Sequence, residues 1–388
     1  MVINWENLRR AAQRALPGFA FDYVDGGADD EQTLRHNREV FARWMFKPAV
    51  LKDASRRSLQ TSLANDSMAA PLLVAPTGYN GMLRYQADLM LARAAAQNGI
   101  GYIQSTVSTA SLEESAAVSQ GPRWFQLYVL KDRQVTASLI ERAQTAGCSA
   151  LVVSVDAVHF GNRERDKSHY RRPLKLSVKA LADVASHPGW VWRTLRPAGM
   201  PGFGNLKPYL PAEYQRGLNA ATYFAQQMDP TLNWETLRWV RELWLGPLYI
   251  KGIMTEQDAL IARQLGFDGI VLSNHGGRQL DGTFSPMQVL AAIRAAVGPD
   301  FSILIDSGFR RGTDVVKALA LGANAVLLGR PLLYAVAAGG EALVNATLQS
   351  MIAEIDRTLA QLGCSSPRDL HPGLVHDING VSQQNWHN

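Results

Sequence analysis

An apolar run joins a polar loop in the stretch Gly269-Ile-Val-Leu-Ser-Asn-His-Gly-Gly-Arg-Gln-Leu-Asp281. The run that ends at Leu272 predicts a buried strand. After it, His275 can exchange a proton near neutral pH, and Arg278 carries a planar fork that matches a carboxylate. Two glycines between them allow a sharp turn. The stretch predicts a site for chemistry beside the carboxylate of a small acid; a solvated strand-end loop is the alternative.

Units made of a short apolar run, a loop and an amphipathic helix recur eight times along the chain. They predict an α/β fold, a (β/α)8 TIM barrel with N-terminal helices and a long insertion after the fourth strand. A doubly wound sheet is the alternative, but no GxGxxG motif follows the first strand. The predicted strands are 71–75, 99–104, 124–129, 150–155, 248–251, 269–272, 302–305 and 325–328.

The repeat indicates one domain over residues 1–388, because no second composition or linker divides the chain. Residues 167–228 interrupt the repeat and form the insertion. A barrel loop of this length is usually functional or disordered.

Polar side chains should gather at the carboxyl ends of the strands, where barrel enzymes carry their active sites. The residues at these positions are Thr77, Gly78, Ser105, Gln126, Tyr128, Ser154, Asp156, Lys251, His275, Asp306, Gly308, Arg310, Gly329 and Arg330. The loops after strands seven and eight combine glycines with arginines, which predicts a phosphate site there. The alternative for these two loops is ordinary turn glycines with surface arginines.

The composition excludes several classes of protein. The chain has 388 residues, 47% of them hydrophobic, and a net charge of +5, so a full core needs no disulfide. Cys148 and Cys364 stand alone, which is typical of a reducing compartment. No P-loop lysine, EF-hand or HExxH pattern is present, so neither nucleotide hydrolysis nor a catalytic metal is indicated. No apolar run is long enough to span a bilayer.

Three long motifs, at residues 273–281, 305–314 and 317–330, resemble those of a known family. They are similar to those of the FMN-dependent α-hydroxy-acid oxidase and dehydrogenase family, and the resemblance runs from about Tyr23 to Gly363. It implies a barrel enzyme that binds FMN and oxidises a 2-hydroxy acid.

The resemblance also implies roles for individual residues. His275 would be the catalytic base, paired with Asp156. Arg163 and Arg278 would hold the substrate carboxylate, with Tyr23 and Tyr128 in contact with the substrate. The residues implied for the cofactor are Thr77, Gly78, Ser105, Gln126, Ser154, Lys251, Ser273, Asp306, Gly308, Arg310, Gly329 and Arg330. Cations near substrate and flavin suit these roles, because the reaction develops negative charge on both.

Local features resemble the mandelate-oxidising dehydrogenases of this family. Gly78 stands where the oxidases generally carry alanine. Val107 stands where glycolate oxidase has tryptophan, which leaves room for an aryl group. The segments 161–166 and 228–239 are similar to that subgroup as well.

The insertion carries an unusual mixture of basic and apolar residues. Between residues 171 and 207, Asp183 is the only acid. Basic side chains beside tryptophans suit an anionic membrane surface, so about residues 175–211 are predicted to bind a membrane. Trp190, Trp192, Leu195 and Phe203 are predicted to enter the interface; a substrate lid or a subunit contact is the alternative. The basic residues are Arg171, Arg172, Lys175, Lys179, Arg193, Arg196 and Lys207, and the apolar ones include Leu174, Leu176, Val178 and Leu181.

Together these features predict oxidation of an aryl 2-hydroxy acid such as (S)-mandelate to the 2-keto acid, with electrons passed to a membrane quinone pool. The alternative is a soluble L-lactate or glycolate oxidase that releases hydrogen peroxide. The expected location is the cytoplasmic side of the cell membrane, bound peripherally, or else the cytoplasm. The resemblance implies a homotetramer, and no nucleic-acid-binding fold accompanies the basic charge.

Overall fold

The computed structural model describes residues 4–171, 175–215 and 217–378. Eight parallel strands close into a barrel, which confirms the predicted (β/α)8 barrel. The strands are β1 (Leu72–Val74), β2 (Gly101–Ser105), β3 (Arg123–Leu127), β4 (Ala150–Ser154), β5 (Leu248–Ile253), β6 (Gly269–Leu272), β7 (Ser302–Ile305) and β8 (Ala325–Leu328). Their order around the barrel is β5-β6-β7-β8-β1-β2-β3-β4.

Helices surround the barrel and precede it, as the repeat predicted. The helices that alternate with the barrel strands, such as Ala87–Gln97 and Pro286–Val297, bury apolar residues. Such helices cover the outer face of the strands, which is what makes strands of a parallel barrel continuous apolar runs. The long last helix bends at Gly340, whose φ of 64° lies outside the helical range. The α-helices are Trp5–Ala15, Gly18–Asp25, Gln32–Glu39, Ala87–Gln97, Leu112–Val118, Arg133–Thr145, Glu164–Lys167, Val178–Ala185, Pro188–Trp190, Gly217–Gln227, Trp234–Leu243, Glu256–Gln264, Pro286–Val297, Gly312–Ala320 and Arg330–Leu362.

The barrel interior is a packed apolar core that closes its amino-terminal end. Trp124 and Tyr249 stack inside the barrel with ring centroids 5.0 Å apart. The hairpin formed by Thr61–Leu63 and Asp66–Met68 covers this end and adds Leu63 to the same core. The opposite end, where the strands finish, is the end that opens to a ligand.

The insertion between β4 and β5 folds over the carboxyl end of the barrel and does not stand apart from it. Trp190 is 2% exposed and donates from Nε1 to the carbonyl oxygen of Met82 at 2.9 Å. Asn205 is fully buried and bonds both the backbone of Leu112 and the Ser105 carbonyl. The insertion is thus anchored on the loops that follow the first strands.

The prediction that Trp190 and Phe203 enter a membrane was wrong, because both side chains are buried against the barrel. The outer side of the insertion is different: Val178, Leu181 and Trp192 are 63%, 54% and 61% exposed. Of the residues predicted to meet a membrane, Arg172, Leu174 and the side chain of Arg171 lie outside the described residues. Among the residues that are described, no helix combines the length and apolar composition needed to cross a bilayer.

Candidate active site

A cavity of about 420 Å³ opens at the carboxyl end of the barrel. It brings together most of the residues singled out from the sequence, although they lie far apart along the chain. Those lining it are Tyr23, Thr77, Gly78, Ser105, Tyr128, Arg163, Lys251, His275, Arg278, Asp306, Gly308, Arg310, Gly329 and Arg330. The remaining predicted residues contact this lining: Gln126 bonds Ser105, Asp156 bonds His275, Ser273 bonds Lys251, and Ser154 pairs with Lys251 in the barrel.

His275 and Asp156 form a hydrogen-bonded pair at the cavity. The histidine Nδ1 lies 3.2 Å from both carboxylate oxygens of Asp156, so Nε2 is the nitrogen left for a ligand. Burial opposes the charge of Asp156, but the interactions with His275 and Lys251 together outweigh burial, and the pKa of this carboxyl is lowered. An ionised Asp156 can stabilise a protonated imidazole.

The backbone presents His275 in an unusual conformation. Its φ is 58°, and its N–H donates to Ser273 Oγ at 3.0 Å. Gln279, which the sequence did not single out, donates from Nε2 to the Asp156 carbonyl and accepts from the Gly161 N–H. This amide ties together the loops that carry the histidine, the carboxylate and Arg163.

Two arginines meet at Tyr23. The guanidinium of Arg278 lies 5.0 Å from the Tyr23 ring centroid, and that of Arg163 lies 5.7 Å from it. Arg278 also donates to the Tyr23 carbonyl at 2.5 Å. Burial, reinforced by the charge of Arg163, lowers the pKa of Arg278 to about 9. Two like charges facing one cavity favour a bound carboxylate, since an anion would relieve both the burial and the repulsion.

Tyr128 adds a buried hydroxyl to the same cavity. Burial, together with the charge of Asp156, raises the pKa of Tyr128. The hydroxyl is therefore protonated at neutral pH and can donate a hydrogen bond. Tyr23 is fixed separately, through a hydrogen bond from its hydroxyl to the Gly78 carbonyl at 3.2 Å.

Lys251 is a buried cation at the end of β5. Its Nζ lies 2.6 Å from Ser273 Oγ and 3.0 Å from Asp306 Oδ2. Burial opposes its charge, but the carboxylates of Asp306 and Asp156 outweigh burial and raise the pKa of Lys251. The cavity thus has a permanent positive charge between β5 and β7.

The loops after β7 and β8, where the sequence predicts a phosphate site, supply further cations to the cavity. Arg310 is buried at the cavity and its Nε has no hydrogen-bond partner among the described residues. Burial lowers the pKa of Arg310 to about 10. Arg330 is held differently, by bonds to the carbonyl oxygens of Val24, Gly26 and Gly276.

The two glycines of these loops have different reasons to be glycine. Gly308 has a φ of 90°, and a Cβ there would overlap the backbone of Asn37, so its role is packing. A Cβ at Gly329 would meet only Ala75 and Thr77, both at 3.9 Å. The backbone at Gly329 is therefore the one that leaves room for a ligand.

Two buried polar side chains meet at the ends of β2 and β3. Ser105 Oγ donates to Gln126 Oε1 at 3.0 Å. Gln126 Nε2 is buried without a partner among the described residues. An unpaired donor inside a protein is costly, which points to a ligand that accepts its hydrogen bond.

An aromatic wall completes the cavity, and sequence reasoning missed it. The Phe203 ring lies 5.4 Å from the Tyr79 ring and 5.9 Å from the Phe224 ring, measured between centroids. Phe224 in turn lies 5.8 Å from Tyr128. Phe203 and Phe224 both come from the insertion, and their only signal in the sequence was an aromatic side chain outside the repeat.

Comparison with known proteins agrees with this geometry. The model of the FMN-dependent dehydrogenase family matches residues 12–377. Over 377 residues the chain is 45% identical to (S)-mandelate dehydrogenase of Pseudomonas putida, covering 97% of this chain and 94% of that one. It is 42% identical over 364 residues to L-lactate dehydrogenase of Pectobacterium atrosepticum, covering 93% and 94%.

Solved structures show the same similarity. A crystal structure of the monotopic membrane protein (S)-mandelate dehydrogenase matches with a TM-score of 0.92 at 44% identity, over 97% of this chain and 99% of the other. A mandelate oxidase with (S)-4-hydroxymandelic acid matches with a TM-score of 0.83 at 35% identity, over 97% and 98%. The chain therefore belongs to the FMN-dependent dehydrogenase family, as an α-hydroxy-acid dehydrogenase similar to mandelate dehydrogenase.

Proposed function

We propose that the protein oxidises aryl 2-hydroxy acids, represented by (S)-mandelate, to 2-keto acids and passes the electrons to a membrane quinone. The observation that carries the aryl preference is the composition of the cavity. It holds two arginines for a carboxylate and an aromatic wall formed by Tyr79, Phe203 and Phe224. Aromatic rings stabilise one another in edge-to-face contacts, so this wall favours a phenyl group.

The residues present fit FMN, which the family implies. The unpaired donors of Arg310 and Gln126 point to a ligand with an anionic end and with ring acceptors. In this proposal Arg310, Gly308, Gly329, Arg330 and Asp306 hold the phosphate and ribityl groups. The ring system is held by Lys251, Thr77, Gly78, Ser105, Gln126, Ser154 and Ser273. FMN, when bound, accepts the two electrons that the substrate loses.

The chain's own groups bind the substrate and move its proton. Arg163 and Arg278 hold the carboxylate by charged hydrogen bonds, and Tyr128 and Tyr23 border it. His275 takes up a substrate proton at Nε2, because Nδ1 faces Asp156. The ionised Asp156 stabilises the imidazolium that results.

Anaerobic mixing with candidate acids tests the substrate proposal. Mandelate is expected to bleach the flavin absorbance rapidly, and L-lactate slowly. Phe224→Ala should reduce the rate with mandelate more than with lactate, because lactate has no ring for the wall to contact. Rapid bleaching by lactate alone would replace the aryl proposal by lactate oxidation, which relatives at 42% identity carry out.

The proposed electron acceptor is tested by measuring how fast the reduced enzyme is reoxidised. Reoxidation by a soluble quinone is expected to be much faster than reoxidation by air. Rapid release of hydrogen peroxide would identify an oxidase.

We also propose that the outer side of the insertion attaches the protein to a membrane. The exposed Val178, Leu181 and Trp192 form, with neighbouring basic residues, what we call the amphipathic patch. Its exposed cations are Lys175, Lys179, Arg193 and Arg196. The Arg196 guanidinium lies 3.7 Å from the Trp192 ring centroid, which joins charge and apolar surface at one place. Each basic residue near an anionic surface contributes about 1 kcal/mol, weakened by salt.

Co-sedimentation with anionic vesicles at low salt tests this attachment. The wild type should sediment, and Leu181→Asp combined with Trp192→Asp should remain in the supernatant. Leu280→Asp with Phe284→Asp is the matched control, because those side chains are 74% and 67% exposed outside the patch. Equal behaviour of the two variants would reject the patch as the attachment site.

The proposed location is the cytoplasmic side of the cell membrane, bound peripherally without a spanning segment. The proposed assembly is a homotetramer. Sedimentation velocity in detergent tests the assembly, and a monomer mass would reject it.

A further inference from the structure

Arg165 is a charged residue beside the site that the roles above leave unused. It lies in the short helix Glu164–Lys167 and binds three carboxylates of the N-terminal region. Its Nη2 lies 2.7 Å from Asp22 Oδ1 and 3.1 Å from Asp25 Oδ2, and its Nη1 lies 3.1 Å from Glu31 Oε1. One guanidinium therefore connects the segment after β4 to the helix Gly18–Asp25 and to the turn that follows it.

The carboxylates that Arg165 binds are fixed by other contacts. Asp25 is 6% exposed and also accepts hydrogen bonds from Arg9 at 2.6 Å and from the Tyr334 hydroxyl at 2.7 Å. Burial opposes its charge, but the bonds from Arg9, Tyr334 and Arg165 together outweigh burial and lower the pKa of Asp25 to about 2. Glu31 accepts from the Gly27 N–H at 2.9 Å. Arg165 therefore binds carboxylates that other hydrogen bonds already hold in place.

The two segments that Arg165 joins each carry a residue that faces the substrate. Tyr23 is on the helix Gly18–Asp25, and Arg163 is two residues before Arg165. Arg163 itself is held loosely, since among the described residues its ion pair is with Asp166, at a separation of 3.8 Å. Its guanidinium nevertheless lies 5.7 Å from the Tyr23 ring centroid. The fixed bonds of Arg165 can explain this placement.

We propose that Arg165 is a positioning residue for the substrate carboxylate: it holds Arg163 in register with Tyr23. The inference rests on the proposed function, in which Arg163 binds that carboxylate. The alternative is a charge network that serves only folding. A network of this kind can stabilise the fold, whereas a residue that also sets the geometry of a clamp affects ligand binding.

The test measures binding of phenylacetate, an unreactive carboxylate with an aryl group, to FMN-loaded enzyme by calorimetric titration. Arg165→Met should raise the phenylacetate Kd on the order of tenfold. Arg165→Lys keeps the charge but cannot bridge three carboxylates, so its Kd for phenylacetate should lie between those of Arg165→Met and the wild type. In kinetics, KM for the hydroxy acid should rise while kcat changes less, because His275 and Asp156 do not touch Arg165.

The decisive comparison uses an Arg163→Met background. If Arg165 acts through Arg163, adding Arg165→Met there should raise the Kd less than twofold. The matched control is Arg57→Met. Arg57 does not line the cavity, and this substitution removes a bidentate bond to Asp356 with distances of 2.9 and 2.8 Å. It should leave the Kd unchanged.

An unchanged Kd in Arg165→Met, or an equal increase with and without Arg163, would overturn the inference. The KM ratio between variant and wild type is also measured with L-lactate, which carries the same carboxylate. The result for Arg165 can therefore be read even if the aryl preference fails.

Discussion

Gly78 and Val107 form a packed pair whose disruption should be measurable and reversible. Both line the cavity. A Cβ added at Gly78 would overlap Val107 Cγ2, whereas the Val107 Cβ and carbonyl oxygen would both lie 3.4 Å away. Gly78 is not in the left-handed region, so the backbone tolerates alanine and the side-chain overlap is the obstacle.

The magnitude of the effect follows from these distances. Relieving the overlap requires rotation of Val107 or a shift of the loop, and overpacking of this kind costs about 1–3 kcal/mol. Val107→Ala removes the overlapping methyl group and leaves only ordinary contacts at 3.4 Å. Gly78→Ala should then be nearly neutral, so the two substitutions should show a coupling energy of about 1–3 kcal/mol.

The assay is a double-mutant cycle that compares Gly78→Ala, Val107→Ala and the double variant. Stability is measured as the denaturant midpoint, followed by the fluorescence of FMN as it is released. The effect on the cavity is measured as kcat/KM for mandelate. Gly78→Ala should lower both quantities, and Val107→Ala should restore most of the loss. Equal effects of Gly78→Ala in the two backgrounds would refute the packing argument.

Three further predictions concern charges in the cavity. His275→Ala should retain FMN but lower the rate of flavin reduction by a factor of about 10²–10⁴, as loss of a general base does; a near-native rate in stopped flow would exclude it as the base. Arg278→Met removes one of the two cations that face the substrate carboxylate, so KM for mandelate should rise, since a charged hydrogen bond contributes about 1.5–3 kcal/mol. Mandelamide, which has no carboxylate, should show a much smaller rise in KM, and equal increases for the two substrates would contradict the clamp. Lys251→Met leaves Asp306 without its buried partner and should reduce the free energy of unfolding by about 3–5 kcal/mol; a denaturation curve like that of the wild type would contradict this.

Much of the barrel could be predicted from the sequence. The predicted bounds of β6, β7 and β8 agree with the structure, because strands buried on both faces are continuous apolar runs bounded by glycine and polar residues. The second strand was placed too early, at residue 99 instead of Gly101. Gly99 has a φ of 64° and belongs to the turn that ends the preceding helix. Apolar runs predict strands well, but the turn at their edge is set by backbone conformation.

The location of the polar residues was predictable for the same reason. Parallel strands in a barrel end at one face, so residues after each strand meet there whatever their separation along the chain. The sequence alone therefore determined the barrel, the strand-end residues that line its cavity and, through three long motifs, the family.

Tertiary structure alone decided which parts of the insertion face inward. Trp190 and Trp192 are two residues apart in the sequence, yet Trp190 and Phe203 are buried and Trp192 is 61% exposed. Three other features also appeared only in the structure: the aromatic wall, the hydrogen bonds of the Gln279 amide, and the ion pairs of Arg165 with the N-terminal carboxylates. Each depends on contacts between segments that are distant along the chain and lie outside any repeat, and local periodicity carries no information about such contacts.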